Sequence, residues 1–336
     1  MRSLVALCGK LLGGLLLTVV ANAHAEERQV GLDWLKTVFF AGHQTDYTGV
    51  FVYQHDNRAE ASRITHLAEA DSEYEKIECL DGPKREIFRH HGQVWGYINH
   101  KMVQVGSHQG LGRFPSLLPE QLSALSTNYQ ASLAGTERVA GYDAQVIVLQ
   151  PKDNLRYTHK FWVHTGSGLL LKTAVLGEKN QAVEQYAFTQ LQIGGKIDRS
   201  WVSKNTSPSL KQSASADVHA SKLHGPVGPA KGVSHTNSGW VADALPAGFK
   251  KTLEILRPMR GKHAPVTQMV FSDGLSAISI FIEPDDGDED DVEGLSSRGA
   301  VNMYHKVLDR HLITVVGEVP PRTVMQVFDS MRYKGR

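Results

Sequence analysis

The stretch that decides the fold is residues 47–99, YTGVFVYQHDNRAEASRITHLAEADSEYEKIECLDGPKREIFRHHGQVWGYIN. Its aromatic and β-branched residues are grouped in short segments, which turn formers separate at Asp56-Asn57, Asp81-Gly82-Pro83 and Gly92. These segments predict five strands, at 47–55, 62–70, 73–80, 85–91 and 93–99. Short strands joined by tight turns favour an antiparallel meander.

Further helices and strands are predicted on both sides of this stretch. Apolar residues at helical spacing predict a helix over 32–39, and the leucines of 115–125 predict a second one. Five further strands are predicted at 129–133, 145–150, 156–164, 169–176 and 183–193. We therefore expect an α+β fold, in which a large, curved antiparallel sheet carries helices on one face.

A second, smaller α+β unit is predicted at the C-terminal end. It contains strand candidates at 250–256, 268–272, 276–282 and 311–317, followed by a helix over 321–331. The run 206–238 before it is rich in Ser, Gly and Pro and poor in large apolar residues, which is typical of a linker. The predicted domains are therefore 26–205 and 239–336.

The first 25 residues have the pattern of a secretory signal peptide. Arg2 provides a basic start, residues 11–20 are apolar, and Ala23-His24-Ala25 fits a cleavage site. A retained membrane anchor is the alternative, but Lys10 leaves a shorter apolar run than the roughly 18 residues that a spanning helix needs. We expect export and a mature chain beginning near Glu26.

Composition limits the remaining classes of protein. Without residues 1–25 the chain has 34 basic and 35 acidic residues, and this near balance argues against nucleic-acid binding, which needs a basic footprint. Cleavage also removes Cys8 and leaves Cys79 as the single cysteine, so an internal disulfide is excluded. Stability must therefore come from packed cores.

The chain lacks local motifs for catalysis or cofactor binding. Its 16 histidines include no H-E-x-x-H pair, and there is no G-x-S-x-G elbow, phosphate loop or dinucleotide fingerprint. The acidic run 283–293 fails the EF-hand pattern in both glycine registers, so a surface loop is favoured and a loose cation site stays open. We predict a protein that is not an enzyme and has no cofactor or resident metal.

Aromatic residues on the predicted strands suggest a different kind of site. A curved sheet that two short helices cover incompletely would leave an apolar hollow, and aromatic side chains often line such sites. An ordinary core is the alternative for each residue, and strand alternation allows about half of them to face inward. The candidates for the hollow are Phe51, Tyr53, Phe88, Trp95, Tyr97, Phe161 and Trp162.

Several motifs resemble the MucB/RseB family of negative regulators of the envelope-stress sigma factor. In the first domain they are YTGVFVY at 47–53, LDGPKRE at 80–86 and VAGY at 139–142. In the second they are LPAGF at 245–249, SDGL at 272–275, SIFIEP at 279–284 and TVVGEVP at 314–320. They cover most of the predicted mature chain, and the acidic run after Pro284 is longer than this family's pattern.

The resemblance implies a half-open β-barrel similar to the lipoprotein carriers LolA and LolB. It also implies a periplasmic protein that binds the periplasmic part of a MucA/RseA-like anti-sigma factor and shields it from the site-one protease. Lipid or lipopolysaccharide fragments in the hollow would release the partner, and we expect the partner contact mainly on the C-terminal domain. A homo-oligomer is possible. A lipid or lipoprotein carrier is the alternative function, followed by an envelope hydrolase.

Overall fold

The computed structural model describes residues 30–69, 72–90, 93–99, 101–105, 114–116, 118, 123–205, 234–259, 264–285 and 293–335. The predicted signal peptide and residues 206–233 of the predicted linker lie outside these ranges. The last part of that linker, 234–238, is described and includes a short strand that pairs with the C-terminal sheet. Its backbone is therefore ordered by the second unit.

The N-terminal unit is an eleven-stranded antiparallel sheet. Its strands are β1 (Tyr47–His55), β2 (Arg58–Glu69), β3 (Ser72–Cys79), β4 (Arg85–His90), β5 (Gln93–Ile98), β6 (Lys101–Val105), β7 (Tyr129–Val139), β8 (Tyr142–Pro151), β9 (Thr158–His164), β10 (Leu170–Leu176) and β11 (Ala182–Ile193). Their spatial order is β6-β5-β4-β3-β2-β1-β11-β10-β9-β8-β7. The sheet is curved and, in its described part, unclosed, so the predicted fold class is confirmed.

One face of this sheet, the inner face, packs against helix α1, which covers residues 30–44. Leu35 and Val38 of α1 enter the same buried cluster as strand side chains that point to this face, since successive side chains of a strand point to opposite faces. We call it the inner-face cluster, and its strand residues include Tyr47, Phe51, Ile64, Ile77, Tyr129, Ile147, Leu149, Phe161 and Phe188.

The second predicted helix is shorter than expected. Residues 114 and 115 form a turn, and helix α2 runs from Ser123 to Asn128, so the prediction for 115–125 is wrong at residues 115, 116 and 118 and right at 123–125. The sequence carries Pro119 in the middle of the predicted helix, and a proline there lacks the N–H that a helix interior needs. The buried side chains of Phe114 and Leu118 instead join the inner-face cluster. A third short helix, α3, covers Ser200–Asn205.

The C-terminal unit is a seven-stranded antiparallel sheet, called the small sheet. Its order is β12 (Ser234–His235), β14 (Lys250–Arg257), β15 (Val266–Ser272), β16 (Ala277–Pro284), β19 (His311–Gly317), β18 (Val301–Leu308) and β17 (Gly294–Arg298). Helix α4 (Pro321–Asp329) buries Val324, Val327 and Phe328 against it. A two-stranded ribbon of β13 (Trp240–Ala242) and β20 (Met331–Tyr333) completes the unit.

Candidate functional site

The seven aromatic candidates are divided between the two faces of the large sheet. Phe51 and Phe161 belong to the inner-face cluster, and Tyr53 follows Phe51 by two residues on β1. On β4, Ile87 pairs with the inner residue Ile77, so the next residue, Phe88, points to the opposite, outer face. Trp95 pairs with Phe88 and therefore shares its face.

Tyr97 and Trp162 are also outer residues. Tyr97 lies two residues after Trp95 on β5, and Trp162 lies between the inner residues Phe161 and Val163 on β9. Three of the seven side chains therefore lie on the inner face and four on the outer face, in line with the alternation expected for strands, and a ligand site lined by the inner three stays a prediction. Aromatic content marks strands, but strand pairing decides which face each side chain occupies.

The outer aromatic residues form two separate groups. Phe88 stacks on Trp95 with ring centroids 5.9 Å apart, and Trp201 of α3 packs on Phe88 at 6.1 Å. Trp162 lies elsewhere, with the ammonium groups of Lys160 and Lys172 within 4.6 Å of its ring centroid. Both groups belong to the packing of the outer face.

The inner face is filled by side chains in this conformation. Phe114 is 1% exposed, and its ring centroid lies 5.3 Å from that of Phe51 and 5.0 Å from that of Phe188. Tyr53 stacks on Tyr186 at 4.4 Å and is partly exposed. Sequence reasoning missed Phe114 because it belongs to a turn between predicted elements. An apolar ligand therefore needs these side chains to move, since protein cores leave little free volume.

A pair of histidines and one carboxylate attach the end of α1 to the sheet. Glu73 Oε2 lies 2.7 Å from His43 Nδ1 of α1 and 3.5 Å from His66 Nε2 of β2. Burial alone would raise the pKa of Glu73, but hydrogen bonds from both histidines hold it well below its usual range. Burial lowers the pKa of His66, yet the contacts with Glu73 and with the Thr45 carbonyl leave it raised overall.

The turn between β15 and β16, residues 273–276, reaches the inner-face cluster, and we call it the closing turn. Asp273 Oδ2 accepts hydrogen bonds from Arg156 Nε at 2.7 Å and from Tyr129 OH at 3.1 Å. The side chains of Arg156 and Asp273 are both 0% exposed. Leu275, two residues further on, packs against the inner-face cluster. The C-terminal unit thus contributes the Leu275 side chain to the packing of the inner-face cluster.

Arg156 holds a second segment of the C-terminal unit. Its guanidinium donates to the Ala247 carbonyl, pairs with Asp153, and lies 5.1 Å from the ring centroid of Phe249. The guanidinium of Arg156 and the carboxylates of Asp153 and Asp273 are thus all paired. A buried ion pair needs such partners because an unpaired buried charge is costly. Two segments that resemble the MucB/RseB family, LPAGF at 245–249 and SDGL at 272–275, therefore both contact Arg156. No motif in the sequence indicates that they share this residue.

Further contacts join the two units beside this arginine. Asn302 Nδ2 donates to Tyr157 OH at 2.9 Å, and Thr323 Oγ1 donates to the Leu155 carbonyl at 3.0 Å. The backbone N–H of Ala300 donates to Glu184 Oε2 at 3.2 Å. The interface is consequently polar as well as apolar, and it is formed by several elements of the small unit.

Burial also shifts the pKa values of two side chains near the closing turn, His159 and Tyr129. His159 projects from β9 beside Tyr129, and its Nε2 has no hydrogen-bond partner among the described residues. Burial lowers its pKa to about 4, although the charge of Asp273 acts in the opposite direction. Burial and the charge of Asp273 raise the pKa of Tyr129 above its usual range. Both groups are therefore neutral near pH 7.

The described residues contain neither a membrane-spanning helix nor a cluster of metal-ligating side chains. Over these ranges, no helix is long and apolar enough to cross a bilayer. Within the same ranges, no cluster of three or more His, Cys, Asp or Glu side chains is arranged to hold a metal ion. Residues 286–292 of the acidic run are not described, so the possible cation site there stays a prediction.

Comparison with known proteins follows the two structural units. The family model for the MucB/RseB N-terminal domain matches residues 31–206, and that for the MucB/RseB C-terminal domain matches residues 234–332. The Sigma factor AlgU regulatory protein MucB of Pseudomonas aeruginosa is 31% identical over 327 residues, covering 96% of each chain. The Sigma-E factor regulatory protein RseB of Escherichia coli K12 is 24% identical over 316 residues, covering 93% of each chain.

Solved structures of MucB share this architecture. A Pseudomonas aeruginosa MucA/MucB complex matches with a TM-score of 0.70 at 28% identity, covering 91% of this chain and 99% of the other. MucB in complex with MucA(peri) gives 0.69 at 28% identity, with coverage of 90% and 99%. MucB crystallised alone gives 0.58 at 29% identity, with coverage of 90% and 97%. Both domain models and a full-length relative agree, so this chain belongs to the MucB/RseB family.

Proposed function

We propose that this protein is a periplasmic regulator that binds the periplasmic segment of a membrane-embedded anti-sigma factor of the MucA/RseA kind. The observation that carries the proposal is the agreement, over nearly the whole chain, with MucB in its complexes with MucA. Binding shields the anti-sigma factor from the site-one protease, and the sigma factor stays inactive. The protein works by binding and is not an enzyme.

Export is part of this proposal. The signal peptide 1–25 directs the chain to the periplasm, and cleavage leaves Glu26 at the new N-terminus. Mass spectrometry of protein released by periplasmic extraction should give a mature chain that begins near this residue. A chain that keeps Met1 and stays with the membrane fraction would contradict the proposed location.

Lipid or lipopolysaccharide fragments control the binding in this proposal. Their acyl chains enter the inner face near Phe51, Tyr53 and Phe161, where Phe114 now fills the space. The lipid-bound protein has a lower affinity for the anti-sigma factor, because a ligand shifts the population toward the conformation that it binds better. By linkage, the partner lowers the affinity for lipid by the same factor.

A lipid or lipoprotein carrier is the second candidate function, since a hollow alone would serve it. The contacts of the small unit with Arg156 and with the inner-face cluster favour regulation, because a carrier has no need of a second domain that closes its hollow. The two functions differ in what they predict for a partner peptide.

The test is a binding and protection experiment. The periplasmic segment of Pseudomonas aeruginosa MucA, made as a labelled peptide, is titrated with the protein and then exposed to a site-one protease. We expect saturable binding, slower cleavage, and release of the peptide when lipopolysaccharide is added. A protein that binds lipid but neither binds nor protects the peptide would be a carrier. Binding without any effect of lipid would remove the lipid control.

A further inference from the structure

The closing turn connects the inner face to the small sheet as one rigid piece. Asp273 Oδ1 accepts hydrogen bonds from the backbone N–H groups of Leu275 at 3.0 Å and Ser276 at 2.9 Å. Gly274 has a φ of +98°, which favours glycine and completes the tight turn. The positions of the Asp273 carboxylate and the Leu275 side chain are therefore fixed relative to each other.

The two ends of this piece have different partners in the large unit. Leu275 packs against the inner-face cluster, and the Asp273 carboxylate is hydrogen-bonded to Arg156 and to the hydroxyl of Tyr129, whose ring belongs to that cluster. Inner-face packing leaves little free volume, so an acyl chain must displace groups that are not part of the sheet itself. Among the described residues, these groups are α1, the segment around Phe114, Leu125 of α2, and turn residues that include Leu275.

Among these groups, Leu275 alone belongs to the small unit. Its displacement would move the turn as a whole and stretch the hydrogen bonds of Asp273 to Arg156 and Tyr129. We propose that the closing turn is the element that transmits occupancy of the inner face to the small sheet, and that the Arg156–Asp273 pair is the latch that this movement opens. The inference rests on the proposed lipid control and names its mechanical route.

The energetic balance of the latch suits a switch between two states. While closed, the ion pair is buried, and each guanidinium nitrogen of Arg156 donates to an acceptor on Asp273, Asp153 or Ala247. Separation inside a dry interface would be costly, because each charge would lose its partner before water replaced it. The latch therefore favours two states, closed and dry or open and hydrated, over a gradual deformation. A packed interface of this kind amplifies a small local shift into a domain movement.

The experiment measures a distance between the two units. Spin labels are placed at Lys179→Cys and Lys250→Cys, both exposed positions, in a Cys79→Ser background of the exported protein. The ligand probe is 11-(dansylamino)undecanoic acid, whose fluorescence reports its binding and whose effect on the label distance is measured by electron spin resonance. We compare the unaltered turn with Leu275→Ala, and use Leu295→Ala on the edge strand β17 as the matched control, since Leu295 is 47% exposed.

We expect probe binding to shift the label distance in the parent protein and in the control. Leu275→Ala should bind the probe about fivefold more tightly, because a competing side chain is gone, and should show less than half of the distance shift. An equal shift in Leu275→Ala would overturn the role of the turn while leaving lipid control intact.

A second measurement applies without ligand. Asp273→Asn keeps the size of the side chain but removes the charge that holds Arg156, so the distance distribution should broaden toward an open arrangement. An unchanged distribution in a folded variant would overturn the latch. Failure of the parent protein to bind the probe would contradict the proposed lipid control, and the result for Asp273→Asn would then decide the latch by itself.

Discussion

Phe51 and Phe88 lie on opposite faces of the eleven-stranded sheet and belong to separate groups of side chains. Phe51 contacts Phe114 and Phe188 in the inner-face cluster, whereas Phe88 stacks on Trp95 and is covered by Trp201 of α3. A ligand that enters the inner face therefore meets the first group and not the second. This separation makes the location of a lipid site testable with single substitutions.

The first prediction compares two partly exposed tyrosines on the two faces. Tyr53→Ala removes a ring that stacks on Tyr186 at the inner face and should weaken binding of a dansyl fatty acid about tenfold. Tyr97→Ala on the outer face is the matched control and should leave the affinity within about twofold. Fluorescence titration measures both. Equal losses in the two variants, or a loss confined to Tyr97→Ala, would place the ligand elsewhere.

The second prediction concerns the stability of the buried ion pair. Asp273→Asn leaves the Arg156 charge without its buried carboxylate partner, and should lower the free energy of unfolding by about 3 kcal/mol. Asp243→Asn is the control, because Asp243 pairs with Arg332 at the exposed surface, where water screens the charges, and it should cost clearly less than Asp273→Asn. Urea titrations followed by tryptophan fluorescence measure both. Similar small losses would show that Arg156 finds water or another partner easily.

The third prediction follows from the lowered pKa of His159. Its value of about 4 in the folded protein lies below the ordinary 6.5, so the unfolded chain binds the proton more readily. Stability should therefore fall as pH decreases from about 6.5 toward 4, and this histidine should account for about 1–2 kcal/mol of the loss at pH 5. His159→Gln should flatten that part of the stability–pH profile, measured by urea titration at pH 7.5 and 5. An unchanged slope would contradict the assignment.

The fourth prediction has the opposite sign for His66. The pKa of His66 is raised in the folded protein, so its protonation stabilises the fold. This stabilisation is fully present below pH 6.5 and is lost as pH rises through the raised pKa. The pKa of Glu73 is lowered in the folded protein, so its ionised carboxylate stabilises the fold. This stabilisation is fully present above about pH 4.5, the ordinary pKa of a glutamate, and is lost at lower pH. The contact therefore stabilises the fold most between these limits.

Glu73→Gln tests this window. It should cost about 1 kcal/mol at pH 5.5, a modest value because Glu73 is partly exposed to water, and less at pH 8.5. Lys36 and Asp33 form an exposed pair on α1, so Asp33→Asn serves as the control and should show a smaller loss at both pH values. A loss from Glu73→Gln that is the same at both pH values would mean that the histidines do not contribute.

The fifth prediction rests on the composition of the segment between the two units. Limited proteolysis should cut first within 206–233, which is rich in Ser, Gly and Pro, and should leave fragments near 26–205 and 234–336. Mass spectrometry of the early products identifies the sites. Early cleavage inside either sheet, with 206–233 protected, would contradict both the linker and the proposed domain boundaries.

Local sequence pattern predicted most of the strands and two of the helices of this protein, and with them its fold class. Tyr47–His55 was predicted as a strand with the bounds that the structure has, and the helix over 321–331 is present as Pro321–Asp329. Strand β18 was missed because its buried Asn302 interrupts the apolar alternation. Family membership also followed from short motifs in the chain. These properties depend on neighbours in the sequence, which a linear reading contains.

Tertiary structure decided the site. Alternation shows that Phe88 and Ile87 point in opposite directions, but the register with β3 decides which of them is inner. Arg156 and Asp273 form an ion pair although they are 117 positions apart in the chain. Nothing in the sequence around either residue indicates the other as its partner. Their pairing depends on how two sheets pack, and packing depends on the shape of all the contacting side chains at once. No local period in the sequence indicates this pairing. The sequence determines the tight turn that contains Asp273, and the packing of the two sheets brings Arg156 to it.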